Sequence, residues 1–502
     1  MKRSIVMTLL LLAAQVPHAS RSGGVMAIDP SDENILYTGR WYRAEPSAPW
    51  CSWQGCSIIA RFRGTSISAR LEAVAGDKDW VFVIIDDDKA GARTIALKAG
   101  AGDYLLASGL PDTTHKVEIV KKSNAGKDHI VTFHGFNITG SGLASPPVRP
   151  RLKLEFYGDS NLAGYSLEHE QNKGDMKYRD SYYCYAGIVS RMLDAEYHNI
   201  SKGGERVHDI MKNIWDKYYP NSSEIWDFSG NRPDAVVVNI GANDVGKPKD
   251  SIVRAYHTFL DAVRGTHPEA HIVVMNAYGW AYDEPANYTS DVVAARNDSN
   301  ISCLHFPWVF EQWHGCQYDH SGMANLLAEH LSQVMGWSYK PSDVMNGFGR
   351  DGDVANGSFE AAAPFGGYGW RYYTAKGVSR ITGAADAHDG TCYLSLKDGA
   401  NVHQPNPASD GDKFTVSLWM RGTTDGAKGK IAIEFKDQKM WTDPLDTYST
   451  TKTLTTDWRQ YSVTRAAPAG GPKPVYQIKV ILQAGPGDAV DFDNVNMYKH
   501  SR

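Results

Sequence analysis

Four short segments hold the residues with chemistry to offer. Ser160 lies in Gly158-Asp159-Ser160-Asn161, directly after an apolar run that ends at Tyr157. A serine that leaves a buried strand at the start of a helix is placed to act as a nucleophile. Its hydroxyl clears the sheet, and the helix N-terminus stabilises developing negative charge. The same tetrapeptide also reads as a helix cap, a position that Ser and Asp favour. Asn199-Ile200-Ser201-Lys202-Gly203-Gly204 follows a second short run. Its glycines either let the backbone approach a ligand, so that an N–H serves an oxyanion, or make an ordinary tight turn. Asn243, in Gly241-Ala242-Asn243-Asp244, offers a side-chain amide to the same oxyanion or is a turn residue. His320 stands before a helix read over Met323 to Met335, as a structural histidine or as a base. A nucleophile, oxyanion donors and a downstream base form the set that ester hydrolysis needs.

These residues need a scaffold, and the patterning supplies one. Between 151 and 340, strand-like runs at Leu152 to Tyr157, Tyr197 to Ser201, Ala235 to Ile240 and His271 to Ala277 alternate with helical spacing at Tyr182 to Leu193 and Ile252 to Arg264. The continuous β-branched run AVVVNI predicts a parallel strand buried on both faces. Strand–helix alternation predicts an α/β domain with helices on both faces of the sheet. Chemistry in such sheets collects beyond the carboxyl ends of the strands, where Ser160, Gly204 and Asn243 fall. On either side the rhythm is β. Residues 21–150 show short alternating runs at Ser57 to Phe62, Ser66 to Leu71, Trp80 to Ile85, Lys116 to Val120 and His129 to Phe133, the pattern of a sandwich. Asp86-Asp87-Asp88 reads as a solvated hairpin turn, with calcium as the lesser alternative. Residues 341–502 return to strands at Lys413 to Met420, Ile431 to Phe435, Gln460 to Val463 and Tyr476 to Leu482, a second sandwich.

Residues 1–20 read as a secretory signal. Lys2 and Arg3 precede a mostly apolar stretch from Ile5 to Ala14, too short to span a bilayer, and a cleavage site falls near Ala19. The expectation is a secreted or periplasmic monomer with no membrane span after processing.

Composition narrows the classes. The chain has 502 residues, 42% apolar and 22% charged, which is globular composition with material for several cores. Lys plus Arg is 52 and Asp plus Glu is 57, a net charge of −5, so nucleic acid is not the expected partner. Six cysteines are too few for a disulfide framework, although Cys51 and Cys56 lie close enough to bridge a short loop. HExxH, paired CxxC, Walker and Rossmann signatures are absent, which disfavours zinc, nucleotide and nicotinamide chemistry.

Gly158-Asp159-Ser160, the glycine at 204, Gly241-x-Asn243-Asp244 and His320, in that order, resemble the SGNH (GDSL-type) hydrolase superfamily. Gly39-Arg40-Trp41, Phe62-Arg63-Gly64-Thr65-Ser66-Ile67 and Glu155-Phe156-Tyr157-Gly158-Asp159-Ser160 narrow the resemblance to carbohydrate esterase family two. That family joins a jelly roll to an SGNH domain and resembles acetyl esterases acting on xylan and related polysaccharides. The resemblance implies Ser160 as nucleophile and His320 as base, with no catalytic cofactor. It implies the Ser160 N–H, the Gly204 N–H and the Asn243 amide as oxyanion donors. It implies an acetylated polysaccharide as partner. Two positions depart from the pattern: Gln317 replaces the usual Asp three residues before the histidine, and Ser321 replaces the usual Pro after it. A backbone carbonyl is then expected to orient the ring. Trp280 and Trp308 either frame the sugar or fill the core. Asn356-Gly357-Ser358-Phe359-Glu360, Gly369-Trp370 and Asp491-Phe492-Asp493-Asn494-Val495 resemble family-four-type carbohydrate-binding modules. This second resemblance implies a structural Ca2+ on Glu360 and Asp493, and sugar platforms at Trp370, Tyr372 and Trp441. The alternatives are a non-catalytic glycan-binding protein with a decayed hydrolase domain and a short-chain esterase of other acyl specificity.

Overall fold

The computed structural model describes residues 24–169, 173–276, 288–306, 310, 314–344, 353–363, 366–367, 369–372, 376–437 and 443–501. The signal-like segment 1–20 and Trp280, Trp308 and Trp441 lie outside these residues.

The N-terminal part is one nine-stranded antiparallel sheet built on long bent strands. The runs read as two strands at Ser57–Phe62 and Ser66–Leu71 are one strand, Ser57–Ala73. Arg63-Gly64 is a bulge within it, not a turn, because the pairing register shifts there against both neighbours. Gly64 lies opposite Gly140, and a Cβ on Gly64 would meet the Thr139 carbonyl oxygen at 2.3 Å. The two backbones close only because both positions lack side chains. Asp86 and Asp87 form the expected hairpin turn, with φ of 53° and 61°.

The central sheet has five parallel strands, in spatial order Ala195–Ser201, Leu152–Gly158, Ala235–Asn239, His271–Met275 and Ile301–Leu304. Every residue of Ala235–Asn239 is buried, as a strand covered on both faces requires. Helices Tyr185–Leu193 and Gln317–Met335 pack together beside one core. Helix Lys249–Thr266 buries Ile252, Tyr256, Phe259, Leu260 and Val263 in another. Leu152–Gly158 has its successors on opposite sides, so the strand order reverses at its carboxyl end. That end opens the crevice where α/β sheets bind ligands.

Residues 376–501 form two antiparallel sheets of five and four strands, with Leu394, Val402, Phe414, Val416, Ile431 and Val480 among the buried residues of one core. The three parts are bonded together. Arg40 of the N-terminal sheet is fully buried against the central sheet, donating to Tyr157 Oη at 2.7 Å, to Glu155 at 3.3 Å and to the Trp215 carbonyl at 2.9 Å. Burial alone would raise the Glu155 carboxyl, but Arg40, His198 and His267 outweigh it and hold it well below the usual carboxylate range. On the other flank Tyr318 Oη donates to the Pro405 carbonyl at 2.9 Å, and Arg371 pairs with the buried Asp319.

Candidate active site

Ser160 stands two residues beyond the strand Leu152–Gly158 and is partly exposed. Its loop is tightly built. Asp159 is buried, and one carboxylate oxygen accepts the Asn161 N–H at 3.1 Å. The Ser160 carbonyl accepts the Tyr165 N–H at 3.0 Å. Among the described residues the Ser160 Oγ has one hydrogen-bond partner, the Nε2 of His314, at 2.8 Å. Asn161 closes the arrangement from the side: its Oδ1 accepts the N–H of Gly315 at 3.0 Å, tying the serine loop to the residue after the histidine.

His320, expected as the base, is not at the serine. The helix predicted from Met323 begins at Gln317, because Cys316 caps it and Asp319 reaches back to the Cys316 N–H at 2.9 Å. His320 therefore lies in the first helical turn and faces the core. Its Nδ1 accepts the N–H of Tyr185 at 3.1 Å, and its ring stacks on the Tyr185 ring at 5.8 Å. Tyr185 is the first residue of helix Tyr185–Leu193, so its N–H has no intrahelical partner, and His320 supplies one. This is a structural task, and full burial pushes the ring down to about 3.

His314 is the residue that sequence reasoning missed. The signal was in the departure noted at Gln317; the missing Pro gives none, since Gly315 follows His314. If His314 is the base, the residue three positions earlier is an acid, Glu311, which lies outside the described residues. The His314 ring is lowered to about 4, first by burial and then by the charge of Arg179. A neutral imidazole beside a serine hydroxyl can accept its proton.

Gly204 and Asn243 come to the same place. Asn243 is exposed, and its Nδ2 donates to the Glu205 carbonyl at 2.9 Å and to Asp159 Oδ2 at 3.4 Å. It thus bridges the serine loop and the 202–205 turn. Gly204 has φ of +73°, and a Cβ there would meet nothing within 4 Å, so the turn faces open space. Neither the Ser160 N–H nor the Gly204 N–H finds an acceptor among the described residues. Asp244 is buried behind, accepting the Val207 N–H at 2.9 Å and pairing with His208 at 2.5 Å.

The C-terminal assignments change. Trp370 and Tyr372 are buried at 1% and 2% exposure in the sandwich core, and Trp370 Nε1 donates to the Asn356 carbonyl at 3.1 Å. They pack the core and present no face to a sugar. Glu360 and Asp493 do not fit as a calcium pair. Glu360 Oε1 accepts the N–H groups of Thr391 and Cys392, both at 2.7 Å, and Asp493 Oδ2 accepts those of His388 and Asp389, both at 2.9 Å. A cation would have to displace amide donors aimed at the same oxygens. Among the described residues no group of three or more His, Cys, Asp or Glu is arranged to hold a metal. Cys51 and Cys56, close enough in sequence to bridge a short loop, stand as separate thiols within hydrogen-bond reach of each other.

A cavity of about 550 Å³ lies between the N-terminal sheet and the central sheet, lined by Trp41, Arg43, Arg149, Glu196, His198 and Trp226. Ser160, Gly204, Asn243 and His314 are not among the residues that line it.

Residues 37–147 match the Carbohydrate esterase 2 N-terminal family, and residues 156–302 match the GDSL-like Lipase/Acylhydrolase family. The chain is 29% identical over 334 residues to the Cellulase/esterase CelE of Acetivibrio thermocellus, covering 62% of this chain and 40% of that protein. It is 25% identical over 333 residues to an Acetylxylan esterase / glucomannan deacetylase of Cellvibrio japonicus, covering 62% of this chain and 91% of the relative. A solved family two carbohydrate esterase from Clostridium thermocellum, in complex with cellohexaose, superimposes with a TM-score of 0.56 at 28% identity, over 60% of this chain and 99% of that one. The chain is thus similar, over an N-terminal module and a GDSL-like module, to family two carbohydrate esterases. Neither family match extends to residues 341–502, and the resemblance of that segment to family-four-type modules gains no support from them.

Proposed function

We propose that this chain is a serine-dependent carboxylic ester hydrolase that removes O-acetyl groups from a hemicellulose-type polysaccharide. The observation that carries the reading is the 2.8 Å hydrogen bond between Ser160 Oγ and His314 Nε2 at the carboxyl end of the parallel sheet. Ser160 Oγ attacks the acetyl carbonyl while His314 Nε2 takes its proton. The tetrahedral oxyanion receives the N–H groups of Ser160 and Gly204. Asn243 joins them by redirecting its longer hydrogen bond, the 3.4 Å one to Asp159. His314 then protonates the departing sugar oxygen, and water, deprotonated by the same ring, releases acetate and restores Ser160. These steps use only this chain's own residues. The acetyl and polysaccharide part rests on the relatives, one of which is named as acting on both acetylxylan and glucomannan. Export, read from residues 1–20, would bring the chain to such a substrate.

The decayed-hydrolase alternative leaned on Gln317, and that departure loses its force once His314 occupies the base position. Acetate release from acetylated xylan and acetylated glucomannan, beside Ser160→Ala, tests the proposal. Release by the parent and none by the variant is expected. A folded parent that releases none from either polymer or from a small acetyl ester would overturn it.

A further inference from the structure

His314 is held by more than its bond to the serine. The ring of Tyr165 lies against it, with centroids 4.4 Å apart and planes 37° from parallel. The same tyrosine ring carries the guanidinium of Arg179, whose Cζ is 4.3 Å from the ring centroid. Arg179 is itself fixed. Its Nε and Nη2 donate to the Gly174 carbonyl, each at 3.3 Å, and its Nη1 donates to Asn124 Oδ1. Gly174 has no room for a side chain: a Cβ there would stand 1.9 Å from the Tyr165 hydroxyl.

Asn124 belongs to the N-terminal sheet domain, three residues past the strand Gly100–Lys121. Its neighbours clamp the same active-site loop. The Lys122 ammonium donates to Glu168 at 2.8 Å, the Lys122 carbonyl accepts the Ser181 N–H at 3.1 Å, and Ser181 Oγ donates to the Lys121 carbonyl at 3.0 Å. A contiguous path of contacts therefore runs from the N-terminal domain through Arg179 and Tyr165 to the histidine at the serine.

We propose that Tyr165 is the positioning residue for His314, holding the imidazole by ring contact so that Nε2 stays on Ser160 Oγ, with Arg179 and Asn124 of the N-terminal domain as its support. The inference rests on the reading of Ser160 and His314 as the reacting pair. Acids usually orient such a histidine by a hydrogen bond; among the described residues none bonds the His314 Nδ1, and the Tyr165 face, itself carrying Arg179, restricts the ring. The role is positional because Tyr165 needs to exchange no proton. It also assigns the N-terminal domain a part in catalysis, as the anchor of the cation beneath the tyrosine.

Among the described residues, charged and titratable groups stand close to His314 on several sides. Arg179 approaches across Tyr165, His320 lies behind on the helix, and Asp319 beside Gly315 is spent on Arg371. Removing the Arg179 charge should raise the histidine and move the acid limb of kcat/KM to higher pH.

The test uses the full chain and a soluble acetyl ester. Tyr165→Ala should lower kcat by about 10–100-fold with KM within about threefold of the parent, the cost of a misplaced base. Tyr165→Phe should restore most of that loss, since the ring and not the hydroxyl does the holding. Tyr165→Leu, which fills the space without a flat face, should behave like Tyr165→Ala and serves if the smaller variant fails to fold. Arg179→Met should shift the acid limb upward. Parent kcat in a folded Tyr165→Ala or Tyr165→Leu would overturn the inference, and so would Tyr165→Phe as impaired as Tyr165→Ala. His314→Ala separates the two readings. If it keeps full turnover, the base assignment itself fails; if it is inactive while Tyr165→Ala is fully active, only the positioning role fails.

Discussion

Lowering the base far below its ordinary range has a consequence that can be measured across pH. The perturbation is acidification of the parent protein, and the group that responds is His314. Its ring is lowered to about 4, by burial first and by the Arg179 charge second. A general base acts only while neutral, so activity is present above its folded value and lost as pH falls through it. At pH 5 a group titrating near 4 is about 90% neutral, whereas an ordinary histidine near 6.5 is about 3% neutral. The structure thus predicts kcat/KM at pH 5 close to its neutral-pH plateau, about 30-fold above what an unperturbed base would allow. The assay is initial acetate release from a soluble acetyl ester between pH 3.5 and 8, at substrate well below KM, with circular dichroism at each pH to show that the protein stays folded. An acid limb near 6.5 or above would refute the reasoning, because it would mean that His314 is neither buried from water nor close to Arg179 in the working enzyme.

Other consequences follow from single contacts. Asn243→Ala removes an oxyanion donor and should lower kcat by about 10²–10³-fold with little change in KM, read from steady-state kinetics. Arg40→Met strands the buried Glu155 carboxylate without its guanidinium and should cost roughly 3–5 kcal/mol of stability, measured by urea unfolding; replacing Glu155 by Gln in the same variant should recover part of it. His320 is held down to about 3 in the fold against 6.5 unfolded, so its share of stability is complete above pH 6.5 and falls as pH drops toward 3. His320→Gln, whose amide oxygen can still accept the Tyr185 N–H, should therefore flatten the decline of melting temperature between pH 6.5 and 4 while retaining turnover.

The central sheet was legible because its signals are local. AVVVN announces a doubly buried strand by itself, and Gly158-Asp159-Ser160 announces the loop that follows the first one. The hairpin at Asp86-Asp87 was equally plain, since Asp tolerates positive φ. Misreadings arose where a local sign had two physical meanings. The alternation breaks at Arg63-Gly64 as if one run ended there, but Gly64 is there to meet Gly140 on the next strand. The last helix begins six residues before the expected Met323, because Cys316 is an unusual cap and Gln317 to Gly322 carry little apolar periodicity. That shift alone changed which histidine stood before the helix. Trp370 and Tyr372 looked like platforms in a turn-rich segment, yet the sandwich they close needs large apolar side chains. Nothing local could have shown Tyr165 and Arg179 beside His314. Those contacts span 149 residues from Tyr165 and 135 from Arg179, and only the folded sheet brings them together.

The account stands on the pairing of Ser160 with His314. The most direct measurement is a double-mutant cycle: kcat for the parent, Ser160→Ala, His314→Ala and the double variant, with His320→Gln alongside. Groups that act as one unit are not additive, so the account predicts that each single loss is nearly as large as the double loss and that His320→Gln keeps most of the parent rate. Losses that multiply, a folded His314→Ala that retains turnover, or a folded His320→Gln that loses as much as Ser160→Ala would contradict it.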